Sequence, residues 1–196
     1  MGAGQQGTGR KGLMNIAGYL RHTKEGPIGE PGSHYSYLLA SNGLFVEAEN
    51  EQLQATHQIA KANVRGLADL QEKLVLKHGR IPSRLFGDAM KFMAEDLDQE
   101  LYLAIVHNGS RYLIEIPYQH ADGARVVYDK VPNTVLDLHS HPTFHGLFSG
   151  QDDRDEVGLQ LYGVIGMLHT LMPDYTLRTG VYGYFRELKF EEVFAP

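Results

Sequence analysis

Between Leu136 and Asp155 the chain reads LDLHSHPTFHGLFSGQDDRD, and His139, His141, Ser149 and Asp152 are the residues in it equipped for chemistry. Side chains on an extended strand repeat every second position, so two histidines separated by one residue point the same way if the segment is a strand. They can then share one metal ion. If a turn of small residues returns Asp152 to that point, the ion receives two nitrogens and one carboxylate oxygen, and a fourth tetrahedral position stays open to water. That is the ligand count of a catalytic zinc site.

The site depends on the elements that deliver it. TVLDLHSH, residues 134–141, is predicted as the strand that carries the histidines, and DDRDEVGLQLYGVIG begins as an acidic turn suited to a helix N-terminus before passing into an apolar run. Upstream, Leu85, Phe86, Ala89, Met90, Met93 and Leu97 fall on one stripe of a helix predicted over residues 82–97. Its methionines read as space-filling core residues. ELYLAIVHNGSRYLIEIPYQH then gives two strands around the turn Asn108-Gly109, residues 125–128 give a short strand, and YTLRTGVYGYFRELKFEEVF closes with one or two more. Before the helix, HYSYLLAS and GLFVEAE form a hairpin about Asn42-Gly43. HTKEGPIGEPGS reads as a loop, and residues 50–62 fit either helix or strand. Leu67, Leu70 and Leu74 have helix-like spacing, blurred by Val75 and Leu76. The sum is an α+β chain, a helix packed on a mixed sheet. Residues 1–12 form a mobile leader, residues 13–80 an N-terminal extension with its hairpin, and residues 81–196 the domain that carries the site.

A chain of 196 residues has room for one substantial core. It contains no cysteine, which excludes disulfides, thiolate ligands and a cysteine nucleophile, so any metal must rest on His, Asp or Glu. A net charge of -6, with both signs interleaved, argues against a generic nucleic-acid binder, which needs a basic patch to collect phosphates. No apolar run reaches the roughly 18 residues of a membrane span, and the N-terminus lacks the pattern of a signal peptide. The expectation is a cytoplasmic protein without membrane or nucleic-acid partners.

His139-Ser140-His141-Pro142, followed by Ser149 and Asp152 at fixed spacing, resembles the zinc signature of the JAMM (MPN-plus) metallopeptidases, H-x-H-P and then S-x-x-D. The resemblance implies an MPN/cytidine-deaminase-like fold, an α/β/α-like arrangement in which helices pack a mixed sheet. It also implies one zinc ion per chain, held by His139, His141 and Asp152, with a bound catalytic water. Ser149 takes the role of hydrogen-bond donor to the oxyanion, a role with its own physical sense because such a donor acts only where charge develops. The family places its general base where a core helix runs into the first strand of the catalytic sheet, and Glu100 stands at that junction. Glu115, on the next strand, is the competitor, while Glu95 reads as a solvated helix charge.

The segment DLHSHPTFHGLFSGQDDRDEVGLQLYGVIG and the later LRTGVYGYF look like bacterial JAMM proteins of the PRTRC protein A kind, found beside ubiquitin-like, conjugating-type and ThiF-like activating proteins. That likeness implies a peptidase or isopeptidase acting at the C-terminal tail of a ubiquitin-like protein or its conjugates, in deconjugation or precursor processing. The tail is expected to add as a strand near Val126, Val127 and Tyr128, with His145 as a loop residue near the substrate. Asp137 is a possible orienting partner for a histidine, more often turned away on an alternating strand. Asp153, Asp155 and Glu156 are read as capping the helix that follows, with Arg154 paired to them. His34, His57, His107, His120 and His169 belong to no motif. Two other readings compete: a non-catalytic MPN scaffold, whose members usually lack the metal ligands retained here, and a zinc hydrolase acting on another peptide substrate.

Overall fold

The structure is a computed structural model and describes residues 15–122 and 125–196, so the leader expected at residues 1–12 lies outside the described residues. Strands predominate, and the fold class is a mixed one dominated by sheet. The first six strands, β1 (Ala17–Thr23), β2 (Gly26–Glu30), β3 (Tyr35–Ala40), β4 (Gly43–Glu49), β5 (Leu53–Lys61) and β6 (Lys73–Leu76), make one sheet in the order β2-β1-β3-β4-β5-β6. The hairpin at Asn42-Gly43 forms as expected, with Ala40 opposite Gly43.

Two expectations fail here for physical reasons. The segment expected as a loop, HTKEGPIGEPGS, contains the turn and return strand of a β1–β2 hairpin. Its Pro27 is tolerated because β2 is an edge strand, where a missing N–H costs no ladder bond. The helix-like leucines of residues 65–77 form no helix. Leu70 packs instead beside Leu38, Ala40 and Phe45, and the amide of Asn42 bonds both Leu70 O (2.8 Å) and Leu70 N (3.0 Å), imitating a neighbouring strand. Leu74 and Leu76 then pair with Ala55 and Leu53 as β6. Tertiary contacts override a spacing that three leucines alone could not enforce.

After β7 (Ile81–Pro82) comes α1 (Ser83–Met93), which buries Leu85, Phe86, Ala89 and Met93 as its stripe predicted. It ends before Leu97, which is exposed, so that residue drops out of the core. The second large sheet has the order β15-β14-β13-β12-β8-β9, built from β8 (Tyr102–His107), β9 (Tyr112–Glu115), β12 (Thr134–His141), β13 (Leu159–Gly166), β14 (Asp174–Val181) and β15 (Tyr184–Leu188). β10 (Gln119–Asp122) and β11 (Arg125–Tyr128) form a separate ribbon. A four-residue helix, α2 (Asp152–Asp155), stands between β12 and β13, and α3 (Phe190–Val193) leads into β16 (Phe194–Ala195), which pairs in parallel with β7. Among the described residues α1 is thus the single helix longer than about one turn.

Alternation on β12 divides the molecule. Leu136 and Leu138 face one core with Leu103, Ile105, Leu161 and Leu177, while Asp137, His139 and His141 face the other side. Gly163 stands opposite Leu138, where a Cβ would lie 2.5 Å from the Leu138 side chain and 2.9 Å from that of Leu177, so both leucines would have to shift to admit one. The same core includes Val46, Leu53 and Ala55 of the first sheet together with α1 and Phe194, so it runs continuously across residue 80.

His57 on β5 is buried at 2% exposure, and burial, helped by the nearby Arg186 charge, pushes its pKa down to about 4. A histidine held neutral in the fold but free to protonate when unfolded stabilises fully above its unfolded value and loses that contribution as pH falls from about 6.5 towards 4. The loss amounts to at most about 3 kcal/mol. The urea midpoint of His57→Gln should therefore fall less than that of the wild type between pH 7 and pH 4.5; parallel acid limbs for the two proteins would exclude His57 as a cause.

Candidate metal centre

Ser140, between the two histidines, points to the core and is fully buried. Its Oγ accepts from Leu101 N (2.8 Å), and its own N–H donates to Leu101 O (2.8 Å). This double bond to the residue after Glu100 fixes the end of β12 against the start of β8. His139 and His141 then emerge side by side with ring centroids 5.0 Å apart.

Asp152 arrives from the other side of the loop. Its Oδ1 lies 3.6 Å from His139 Nε2, and the donor atoms of His139, His141 and Asp152 all lie within 4.8 Å of one another. Two donors each about 2.1 Å from a tetrahedral zinc are roughly 3.4 Å apart, so small side-chain adjustments bring this set onto one ion. His139 Nε2 is buried with no hydrogen-bond partner, a lone pair left for a cation. His141 Nδ1 stands 3.1 Å from the carbonyl of His145. A carbonyl only accepts, so Nδ1 must carry the hydrogen, and Nε2 is left as the free ligand atom. Burial pushes His139 down to about 4, keeping it neutral as a ligand must be. Desolvation works to raise Asp152, but His139, two bonds from Ser149 and the field of His141 outweigh it and hold the carboxyl below its ordinary value.

Glu100 joins this group: its Oε1 is 3.8 Å from His141 Nε2. Desolvation raises its pKa, the charge of Asp152 adds to the rise, and His141 opposes it. Glu115 is exposed on edge strand β9 opposite Ala104, and Glu95 is exposed just past α1. Ser149 is exposed at the start of the turn. Its N–H donates to Asp152 Oδ2 (2.5 Å), and its Oγ accepts from the N–H groups of Gln151 (3.2 Å) and Asp152 (3.3 Å). The hydroxyl also hydrogen-bonds the Asp152 side chain, which helps to hold that carboxylate ionised.

Other expected residues take different positions. The ring of His145 pairs with Asp174 at 2.5 Å, and Gly146 N–H donates to the same carboxylate (2.7 Å), so the pair fastens the loop beyond the histidines. Glycine is needed at that fastening: a Cβ on Gly166 would lie 2.0 Å from Gly146 N. Asp137 accepts from the hydroxyl of Tyr102, and burial pushes it up to about 6. Asp153 and Glu156 cap no following helix, because β13 follows; both bind Arg178 instead, while Arg154 reaches Gln151. The side chains of His120, Val126, Val127 and Tyr128 lie outside the described residues. Ser140, Asp174 and Arg178 escaped the sequence reading. Only Arg178 left a trace, as a charge inside a strand whose neighbours are built for burial.

No family model, curated protein or solved structure matches this chain. Among the described residues no helix is long and apolar enough to cross a membrane.

Asp152→Ala should weaken zinc binding by more than about 100-fold, above the range for losing an outer partner of a ligand, while Asp155→Ala in the same turn should leave it near wild type. Competition with a chromophoric chelator measures both, and equal affinities would remove Asp152 from the ligand set.

Proposed function

We propose that this chain is a zinc-dependent peptidase or isopeptidase of the JAMM type, acting at the C-terminal tail of a ubiquitin-like protein. The observation that carries the proposal is Glu100, a carboxylate brought from 39 residues before His139 to within 3.8 Å of His141 Nε2 without belonging to the three-residue ligand set. Structural metal sites use closed shells, whereas three protein ligands with an adjacent acid–base group suit hydrolysis.

His139, His141 and Asp152 would hold the zinc, which when bound would supply Lewis acidity towards a carbonyl and a water molecule. The chain's own residues provide the rest. Glu100, partly desolvated and raised above an ordinary carboxylate, accepts a proton from the attacking water and returns it to the departing amine. Ser149, an exposed hydroxyl beside Asp152, donates to the oxygen on which negative charge develops. A peptide tail adding as a strand finds an edge on β11, which among the described residues pairs with β10 alone. The resemblance in the H-x-H-P and S-x-x-D positions supports the zinc-peptidase reading and the finer MPN-like assignment of the fold, while the likeness of residues 137–166 and 177–185 to the bacterial subgroup supports a ubiquitin-like substrate with ThiF-like and conjugating-type companions.

Glu100→Gln should keep its zinc and its fold but lose on the order of 100- to 10,000-fold in turnover. The assay is release of a reporter fused to the glycine-ended tail of a ubiquitin-like protein. Retained turnover would transfer the role of base to Glu115. Zinc binding by the wild type without cleavage of any such fusion would point to another peptide substrate.

A further inference from the structure

The turn that carries Ser149 and Asp152 has little to hold it in place. α2 contains four residues, buries none of them and lacks a side-chain cap at its assigned N-cap, Gln151. A helix of one turn is unstable by itself, since nucleation costs more than a single turn of bonds returns. A carboxylate ligand on such a turn wanders unless something outside fixes it.

Arg178 is placed to do so. It stands on β14 opposite Tyr162 of β13, which in turn stands opposite Asp137 of β12, so its side chain rises from the same face of the sheet as His139. The side chain is only 7% exposed. Its Nη1 donates to Asp153 Oδ1 (2.6 Å) and its Nε to Glu156 Oε2 (2.8 Å), with Nη2 2.6 Å from that second oxygen. Both carboxylates follow Asp152 in the chain, one at the next position and one at the fourth. The guanidinium is also sandwiched between two rings, 3.7 Å from the centre of Phe148 and 3.9 Å from that of Phe185. Phe148 precedes Ser149, and its ring lies edge-on to His139 with centroids 6.1 Å apart. One cation therefore grips the turn at Phe148, Asp153 and Glu156, on both sides of Ser149 and Asp152.

We infer that Arg178 is a positioning residue of the metal centre, fixing the Asp152 turn against the strand that carries the histidines. The inference rests on the ligand assignment made above. A lysine cannot replace it, because a single ammonium point lacks the planar fork needed to bridge two carboxylates and stack between two rings.

The test compares zinc affinity, by chelator competition, with the unfolding midpoint of the metal-free protein for wild type, Arg178→Lys, Arg178→Met and Asp153→Asn. Expected are a 10- to 100-fold loss of affinity in both Arg178 variants, the size typical of outer partners of metal ligands, and a smaller loss in Asp153→Asn. The metal-free midpoint of Arg178→Lys should stay near that of wild type. Asp153 is half exposed, so Asp153→Asn releases one grip without opening the core and remains informative if the Arg178 variants do not fold. Wild-type affinity in a folded Arg178→Lys or Arg178→Met, or in Asp153→Asn if neither of those folds, would overturn the inference and leave the ligand set standing. A wild type that binds no zinc would overturn both. A lowered midpoint with unchanged affinity would make Arg178 part of the scaffold alone.

Discussion

Strands β12 and β13 run parallel, and a parallel pair cannot be joined by a tight turn. The chain leaving His141 must travel back along the sheet before it can re-enter at Leu159, and Ser149 and Asp152 both sit on that return path. The antiparallel neighbours on either side, β8 and β14, then supply what the path needs: Glu100 just before β8, and Arg178 from within β14. Had β12 and β13 been antiparallel, a short hairpin would have left no segment to bring Asp152 to the histidines. Ligand geometry here follows from strand direction.

Burial decides the chemistry of the groups so assembled. Each charged or titratable side chain on the site face is drawn partly out of water, and its neighbours determine how it responds. His139 is forced to stay neutral, Asp152 is kept ionised by the imidazoles and the Ser149 bonds, and Glu100 is pushed the other way. Two carboxylates beside the same pair of histidines thus acquire opposite tendencies. Orientation comes from backbone as much as from side chains, since the His145 carbonyl sets the tautomer of His141 and Leu101 holds Ser140.

The sequence made the site strand legible because Leu136 to His141 alternate and two of the outward positions are histidines. Residues 134–141 form β12 with the bounds expected, and the helix start at Ser83 follows from Ile81-Pro82. The N-terminal half was harder to read. Residues 17–30 hide a hairpin under glycine and proline, and the leucines of residues 65–77 mimic a helix, because edge strands and outer-face loops carry weak periodicity and take their shape from partners far away in the chain. α1 itself ends earlier, at Met93, and Glu100 was named from the family resemblance, which places a base between the core helix and the first strand of the sheet. Arg178 was not, since its meaning depends on Asp153, Glu156 and two phenylalanines that only strand register brings together.

The pairing of β16 with β7 bears on how the chain matures. Phe194 lies beside Ile81, and the hydroxyls of Tyr37 and Tyr184 meet at 2.9 Å across 147 positions of sequence. Contacts of such separation form late, after the entropy of closing long loops has been met. A ribosome making this chain releases His139, His141 and Asp152 well before Arg178 and before the strand that seals the core. The donor atoms exist during synthesis, but the scaffold that aligns them is completed only when nearly the whole chain is free to fold.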